Sequence, residues 1–107
     1  MGAPFDLFDN LDALLPEIPA DSIVSRTLYG DASLKIILFG FAAGQELSEH
    51  TASKTAILHF LRGEADLTLG GTASRVQAGT LVRMEPHLPH SVHARTDVVM
   101  LLIMLGA

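Results

Sequence analysis

The chain has 107 residues, enough for one domain and one hydrophobic core. Apolar residues make up 49 % and charged residues 18 %, a balance that excludes a disordered chain. Lys and Arg number 7 against 12 Asp and Glu, and the net charge of −5 argues against nucleic-acid binding by phosphate neutralisation and against an anionic membrane surface. With no Cys, the chain has no disulfide, no thiolate nucleophile and no Cys-ligated zinc.

Met1 to Asp6 is acidic and lacks the basic start of a targeting segment. The longest apolar run, Val98 to Leu105, has 8 residues, which suits a buried strand and is too short for a membrane span. The expectation is a soluble, cytoplasmic protein. Between Asp6 and Leu15 the apolar residues Leu7, Phe8, Leu11, Leu14 and Leu15 recur at offsets of three and four. That spacing predicts a short helix capped by Asp6 and stopped by Pro16 and Pro19. Residues 1–20 are expected to form this helix and an arm, and residues 21–107 the main body.

From Ser22 onward the sequence breaks into short β-prone runs divided by glycine and proline turns. Ser22 to Tyr29 and Leu34 to Phe41 come first, and Ala42-Ala43-Gly44-Gln45 follows as a turn. Thr55 to Leu61 runs into Gly63. Ala65, Leu67 and Leu69 alternate with Asp66 and Thr68 as in a half-buried strand, and Gly70-Gly71 turns the chain back through Thr72 to Gln77. Leu81 to Met84, a rigid Pro86-x-x-Pro89 loop, Ser91 to Arg95 and Val98 to Leu105 complete the chain. Roughly eight or nine strands without a long helical crossover predict an antiparallel sandwich or barrel.

The five histidines, His50, His59, His87, His90 and His93, all lie in the second half. Imidazoles without thiolates point to an imidazole or imidazole–carboxylate metal site, if the chain has one. Strand alternation sets Ala56, Leu58 and Phe60 on one face and His59 on the other, unless a bulge turns it inward. His87 is expected in a solvated turn, and His93, three residues from His90, on the far side of its strand. Glu46, Glu49 and Glu85 lack the spacing of an acid/base dyad. Ser48 beside His50 lacks the third group that a nucleophilic triad needs.

Gly44-Gln-Glu-Leu-Ser-Glu-His50, a strand into Gly63, and Gly79-Thr-Leu-Val-Arg-Met-Glu-Pro-His-Leu-Pro-His90 together resemble the two signature motifs of the cupin superfamily, over residues of about 34–105. The resemblance implies an all-β fold, the double-stranded β-helix or jelly-roll barrel, here with a short N-terminal helix. It also implies that His50 and His90 stand at metal-ligand positions inside the barrel mouth. The family's second His falls on Ala52 and its Glu on Ala56; its Pro-x-Gly becomes Glu85-Pro86-His87 and its closing Asn becomes Ala94. Methyl groups coordinate nothing, so a divalent ion would rest on His50 and His90, with His59 as the candidate third ligand that a catalytic site requires.

Three readings follow. The first is a binding or sensing module that holds a small molecule in an apolar barrel through His50 and His90, with any divalent metal held weakly. The second, implied by the resemblance alone, is a metal-dependent enzyme of the oxygenase or isomerase type. The third is an inert interaction barrel. Ile36 to Phe39, Ala56 to Leu58 with Phe60-Leu61, and Val98 to Leu105 are apolar on both faces, so the outer face needs cover. A homodimer with Ile57, His59 and Leu61 near its interface is the expected cover.

Overall fold

The computed structural model describes residues 4–106. Nine strands follow in order: β1 (Ile23–Gly30), β2 (Leu34–Phe41), β3 (Glu46–His50), β4 (Thr55–Arg62), β5 (Glu64–Leu69), β6 (Thr72–Gln77), β7 (Leu81–Met84), β8 (His90–Ala94) and β9 (Val98–Leu105). They form two sheets, β1-β2-β9-β4-β7 and β3-β8-β5-β6, and every paired neighbour is antiparallel. The chain changes sheet at most of its connections, the crossing pattern of a jelly roll.

Two glycine turns shape this path, one within a sheet and one between sheets. Gly70 and Gly71 both have positive φ, 55° and 87°, as a two-residue hairpin turn between β5 and β6 demands. Gly63, at φ 90°, carries the chain from β4 in one sheet to β5 in the other. A Cβ there would overlap the Asp97 carbonyl, so no other residue fits without moving the backbone.

The core lies between the sheets. Phe41, Ala56, Leu58, Phe60, Met84, Val98 and Met100 from the five-stranded sheet meet Ala65, Leu67, Val76, Val92 and Ala94 from the other, all buried. In the four-stranded sheet the inner strands β5 and β8 alternate between buried and more exposed residues, while the edge strands β3 and β6 are mostly exposed. On its outer face Asp66 accepts from Arg75 Nε at 3.0 Å and from Arg95 Nε at 2.8 Å, linking three strand segments side by side. The five-stranded sheet is different. In β9, Val98, Val99 and Met100 are all buried, because Val98 and Met100 face the barrel while Val99 joins Leu15 and Leu38 in a second cluster outside it. That double burial explains the unbroken apolar run at the chain's end.

The cover over Val99 is the N-terminal arm, and here the expected helix gives way. The segment before β1 contains only a four-residue 3-10 turn, Leu11–Leu14. Asn10, which precedes it, makes no capping hydrogen bond, and Asp6 caps nothing because the chain is not helical there. The apolar spacing is real, yet only its last members dock: Leu14 and Leu15, joined by Ile18 beyond Pro16, pack with Leu38 and Val99, while Leu7 remains 77 % exposed. A segment closed off by Pro16 is shorter than an isolated helix needs, and tertiary packing rewards only its C-terminal end. Leu61 sits in the same outer cluster, so its cover comes from within the chain. No helix among the described residues is long and apolar enough to cross a membrane.

Candidate functional site

β3 carries the first candidate ligand, and its sequence, Glu-Leu-Ser-Glu-His, is too polar to read as a strand by hydrophobic pattern. Leu47 lies opposite buried Val92 of β8 and points inward. Regular pairing would then set Glu49 opposite His90. Instead the register shifts between Leu47 and His50, so that two residues of β3 face one of β8 and His50 lies opposite His90. The bulge exchanges a carboxylate for an imidazole on the barrel side.

The two rings stand 4.2 Å apart between centroids at an interplanar angle of 58°. His90 is buried, and it is the one buried polar side chain among the described core residues. Each ring is tied to its own strand in the same way. His50 Nδ1 lies 2.8 Å from the Ser48 carbonyl oxygen, and His90 Nδ1 lies 2.8 Å from the Leu88 carbonyl oxygen. A carbonyl oxygen only accepts, so each Nδ1 carries a proton and donates it. In the neutral ring Nε2 is then left with its lone pair. The pair therefore offers two acceptor or ligand nitrogens from adjacent strands.

The opposite wall of the same mouth comes from the five-stranded sheet. Ala56, buried near the start of β4, has Met84 of β7 beside it on one side and Met104 of β9 on the other. The connectors 51–54 and 85–89 join the walls, and His87 N donates to the Ala52 carbonyl oxygen at 2.7 Å across them. His87 itself is exposed in its turn at φ 69°.

His50 and His90 are thus brought together, and His59 is not. On β4, Leu58 and Phe60 are buried in the barrel, while His59 between them faces outward, opposite Leu81 and Leu101. β4 is regular at this point, its shift falling only after Phe60, so no bulge turns His59 inward. The structure therefore does not bring His59 together with the pair. His93 also faces out, with Nδ1 3.9 Å from Asp66. Hydrogen bonds from Arg95 and Arg75 hold the Asp66 carboxyl below the usual carboxylate range. A cleft of about 290 Å³, lined by Pro4, Asp6, Phe8, Tyr29, Leu34 and Ile36, lies beside the arm on the outer side of the sheet and contains none of these imidazoles.

The cupin-type divalent site, with its four ligands, can be tested against this donor set. No group of three or more His, Cys, Asp or Glu side chains among the described residues is placed to hold a metal ion. Ala52 and Ala56 present methyl groups where oxygen and nitrogen donors would be required. The residues do not fit a four-ligand divalent centre.

Comparison with known proteins agrees with the architecture. Residues 37–106 match the family model described as the cupin domain. A conserved protein of unknown function from Streptococcus pyogenes is 31 % identical, with a TM-score of 0.79 over 85 % of this chain and 80 % of that one. A cupin superfamily protein from Desulfitobacterium hafniense is 25 % identical, with a TM-score of 0.85 over 91 % and 88 % of the two chains. A DMSP lyase from Ruegeria pomeroyi is similar in fold, with a TM-score of 0.73 at 22 % identity, over 80 % of this chain and 48 % of that one. A search of curated proteins found no match.

Proposed function

Starting from a chain that belongs to the cupin family but lacks a four-ligand metal centre, we propose that it is a binding module that takes a small molecule at the barrel mouth through His50 and His90. The observation that carries this is the matched pair of imidazoles, each fixed through Nδ1 with Nε2 free. A pocket that is mostly apolar with a few fixed polar groups is the usual build of a small-molecule site. Below the mouth the barrel is filled by Phe41, Leu58, Phe60 and Met100, so the ligand is small and sits near the rim. A divalent ion, with two nitrogen donors from the protein, is held only weakly.

The enzyme reading, a metal-dependent oxygenase or isomerase type, is weaker. It needs a third ligand, and His59 faces away. The chain acts as a cytoplasmic homodimer that engages neither nucleic acid nor membrane, a reading supported by its net charge of −5 and by the apolar outer face of the five-stranded sheet.

The test is a thermal-shift screen of small organic acids, amides and divalent salts against untagged protein. A ligand at 100 times its Kd adds about 2.7 kcal/mol of stability. Hits should lose their shift in both His50→Ala and His90→Ala. Hits that survive both substitutions would place binding elsewhere and sink the proposal.

A further inference from the structure

We propose that the cleft beside the N-terminal arm is a second ligand site, which takes a small quaternary-ammonium compound against the rings of Phe8 and Tyr29, with Asp6 as its counter-charge. The site lies on the outer side of the five-stranded sheet and is independent of His50 and His90. A register shift builds it. In β1, Thr27 lies opposite Ile37 of β2, so regular pairing would set Leu28 opposite Ile36 and Tyr29 opposite Lys35. Instead the pairing slips by one residue, and Tyr29 lies opposite Ile36. Ile36 shares its strand face with Leu34 and with Leu38 of the outer cluster, so the bulge brings Tyr29 to the arm side of the sheet. The phenol is then fixed in place. Its hydroxyl donates to Asp31 Oδ2 at 2.6 Å, while Asp31 Oδ1 accepts from the amides of Ser33 and Leu34 at 2.7 and 2.8 Å.

The lining chemistry selects the ligand. Two aromatic rings, Pro4 and two aliphatic side chains enclose about 290 Å³, the small end of the range for small-molecule sites. Asp6 is the one charged lining residue, and Asp31 adds a second carboxylate beside Tyr29. The Tyr29 hydroxyl is pushed above its ordinary value, first by its bond to Asp31 and that group's charge, and to a smaller extent by Asp6. The carboxylates thus act on the ring from two sides, and an anion would be repelled. Lys35, between Leu34 and Ile36 on β2, falls on the other face of its strand, and Lys54, which acts on Asp31, does not line the cleft. Aromatic faces attract cations, most of all those whose charge is spread over methyl groups. A primary ammonium needs acceptors for three N–H groups. The lining side chains offer Asp6 alone, because the Tyr29 hydroxyl is committed to Asp31. A methylated nitrogen needs no acceptor and suits these apolar walls.

The experiment is a calorimetric titration of the full chain with choline, with ethanolamine, and with 3,3-dimethylbutan-1-ol, which puts carbon in place of the choline nitrogen. The chain has one Tyr and no Trp, so its tyrosine emission reports Tyr29 alone and should change saturably with choline. Choline should bind on the order of tenfold more tightly than either analogue, the scale of a cation over aromatic faces. Tyr29→Leu and Phe8→Leu should each weaken choline on the order of three- to tenfold, and Tyr29→Phe, which keeps the ring, should restore most of the affinity. Asp6→Asn should weaken choline and leave 3,3-dimethylbutan-1-ol unchanged. Phe8 and Asp6 are exposed on the arm, so their variants test the site even if Tyr29→Leu does not fold. His50→Ala should leave choline affinity unchanged. No binding of choline, or equal binding of the neutral or primary-amine analogue, would overturn the inference. So would choline affinity that survives Phe8→Leu and Asp6→Asn. Choline affinity lost in His50→Ala and kept in the cleft variants would move the ligand to the barrel mouth, overturning this inference and leaving the imidazole reading intact.

Discussion

His50 lies opposite His90 because β3 carries one residue more than β8 between Leu47 and the end of the ladder. The two imidazoles are equal in chemistry and unequal in burial. His90 is 7 % exposed, whereas His50 stands at the rim. Replacing His90 by Ala should therefore cost about 1–2 kcal/mol in a denaturant titration, and His50→Ala no more than about 0.5 kcal/mol. Both should abolish ligand binding at the mouth. Equal stability losses would mean that the pair is buried as a unit.

The two alanines at the site invite restoration. Ala56→Glu places a carboxyl in a tightly packed position, and without metal it should destabilise the chain by about 1–3 kcal/mol through overpacking alone. Combined with Ala52→His it supplies four donors. The double variant should then melt lower than wild type when metal-free and rise sharply on adding nickel or zinc salts. Metal analysis by mass spectrometry checks the stoichiometry; a double variant that takes up no more metal than wild type would show that Ala52 and Ala56 do not face the pair.

Much of this site is written in the sequence, and its limits have physical causes. Gly63, Gly70 and Gly71 mark their turns because positive φ leaves little choice of residue. The alternation of β4 places His59 outside before any coordinates are needed. β3 escapes detection because Glu46, Ser48 and Glu49 give it no apolar face beyond Leu47. The N-terminal helix is over-read because a periodic pattern says which residues share a face, not whether anything lies opposite that face. Leu7 and Phe5 have nothing opposite them in the chain and remain exposed. The mouth wall around Ala56 is invisible in sequence because Met84 and Met104 meet Ala56 only through strand register.

The arm acts as a patch over the outer sheet. Leu15 is buried against Leu38 and Val99, so Leu15→Ala should cost about 2–4 kcal/mol. The barrel core is separate from this cluster, and the variant should keep a native β-sheet circular dichroism spectrum while melting earlier. A loss below about 0.5 kcal/mol would show that the arm is only loosely docked.

Two carboxylates link stability to acid pH. Asp66 is held low by Arg95 and Arg75, and Asp31 by the Tyr29 hydroxyl at 2.6 Å and the amides of Ser33 and Leu34. A depressed folded-state pKa contributes stability that is present above the unfolded value of 3.8 and lost as pH falls through the folded value. Asp66→Asn should therefore be less stable than wild type at neutral pH, and the gap should close as pH falls below about 4. Asp31 is exposed and Asp66 only partly covered, so solvent screens both and the gap is small. A gap that persists undiminished at low pH would assign the loss to side-chain packing instead of charge.

The outer face of the five-stranded sheet sets the last expectation. The arm covers Leu38 and Val99 but not the far side, where Ile103 lies beside Ile57, and His59 beside Leu81. Leu81 is 67 % exposed, and Ile57, His59 and Ile103 are only partly covered. Arg83 lies beside Ile57 at the edge of this face, so Ile57, Ile103 and Leu81 form an apolar patch bordered by charge, and a two-fold axis through it would bury the same residues from both copies. Leu61, which the sequence places at this interface, lies under the arm and does not take part. Light scattering at micromolar concentration should give about twice the chain mass of 11.4 kDa. Ile57→Asp and Leu81→Asp should each shift the protein toward monomer with the β-sheet spectrum intact, because a buried unpaired carboxylate in each copy opposes pairing. Leu61→Asp should instead lower the melting temperature by disturbing the arm cluster, even in the monomer. A wild-type protein that stays monomeric and soluble at tens of micromolar would show that the patch tolerates water, and the homodimer would be withdrawn.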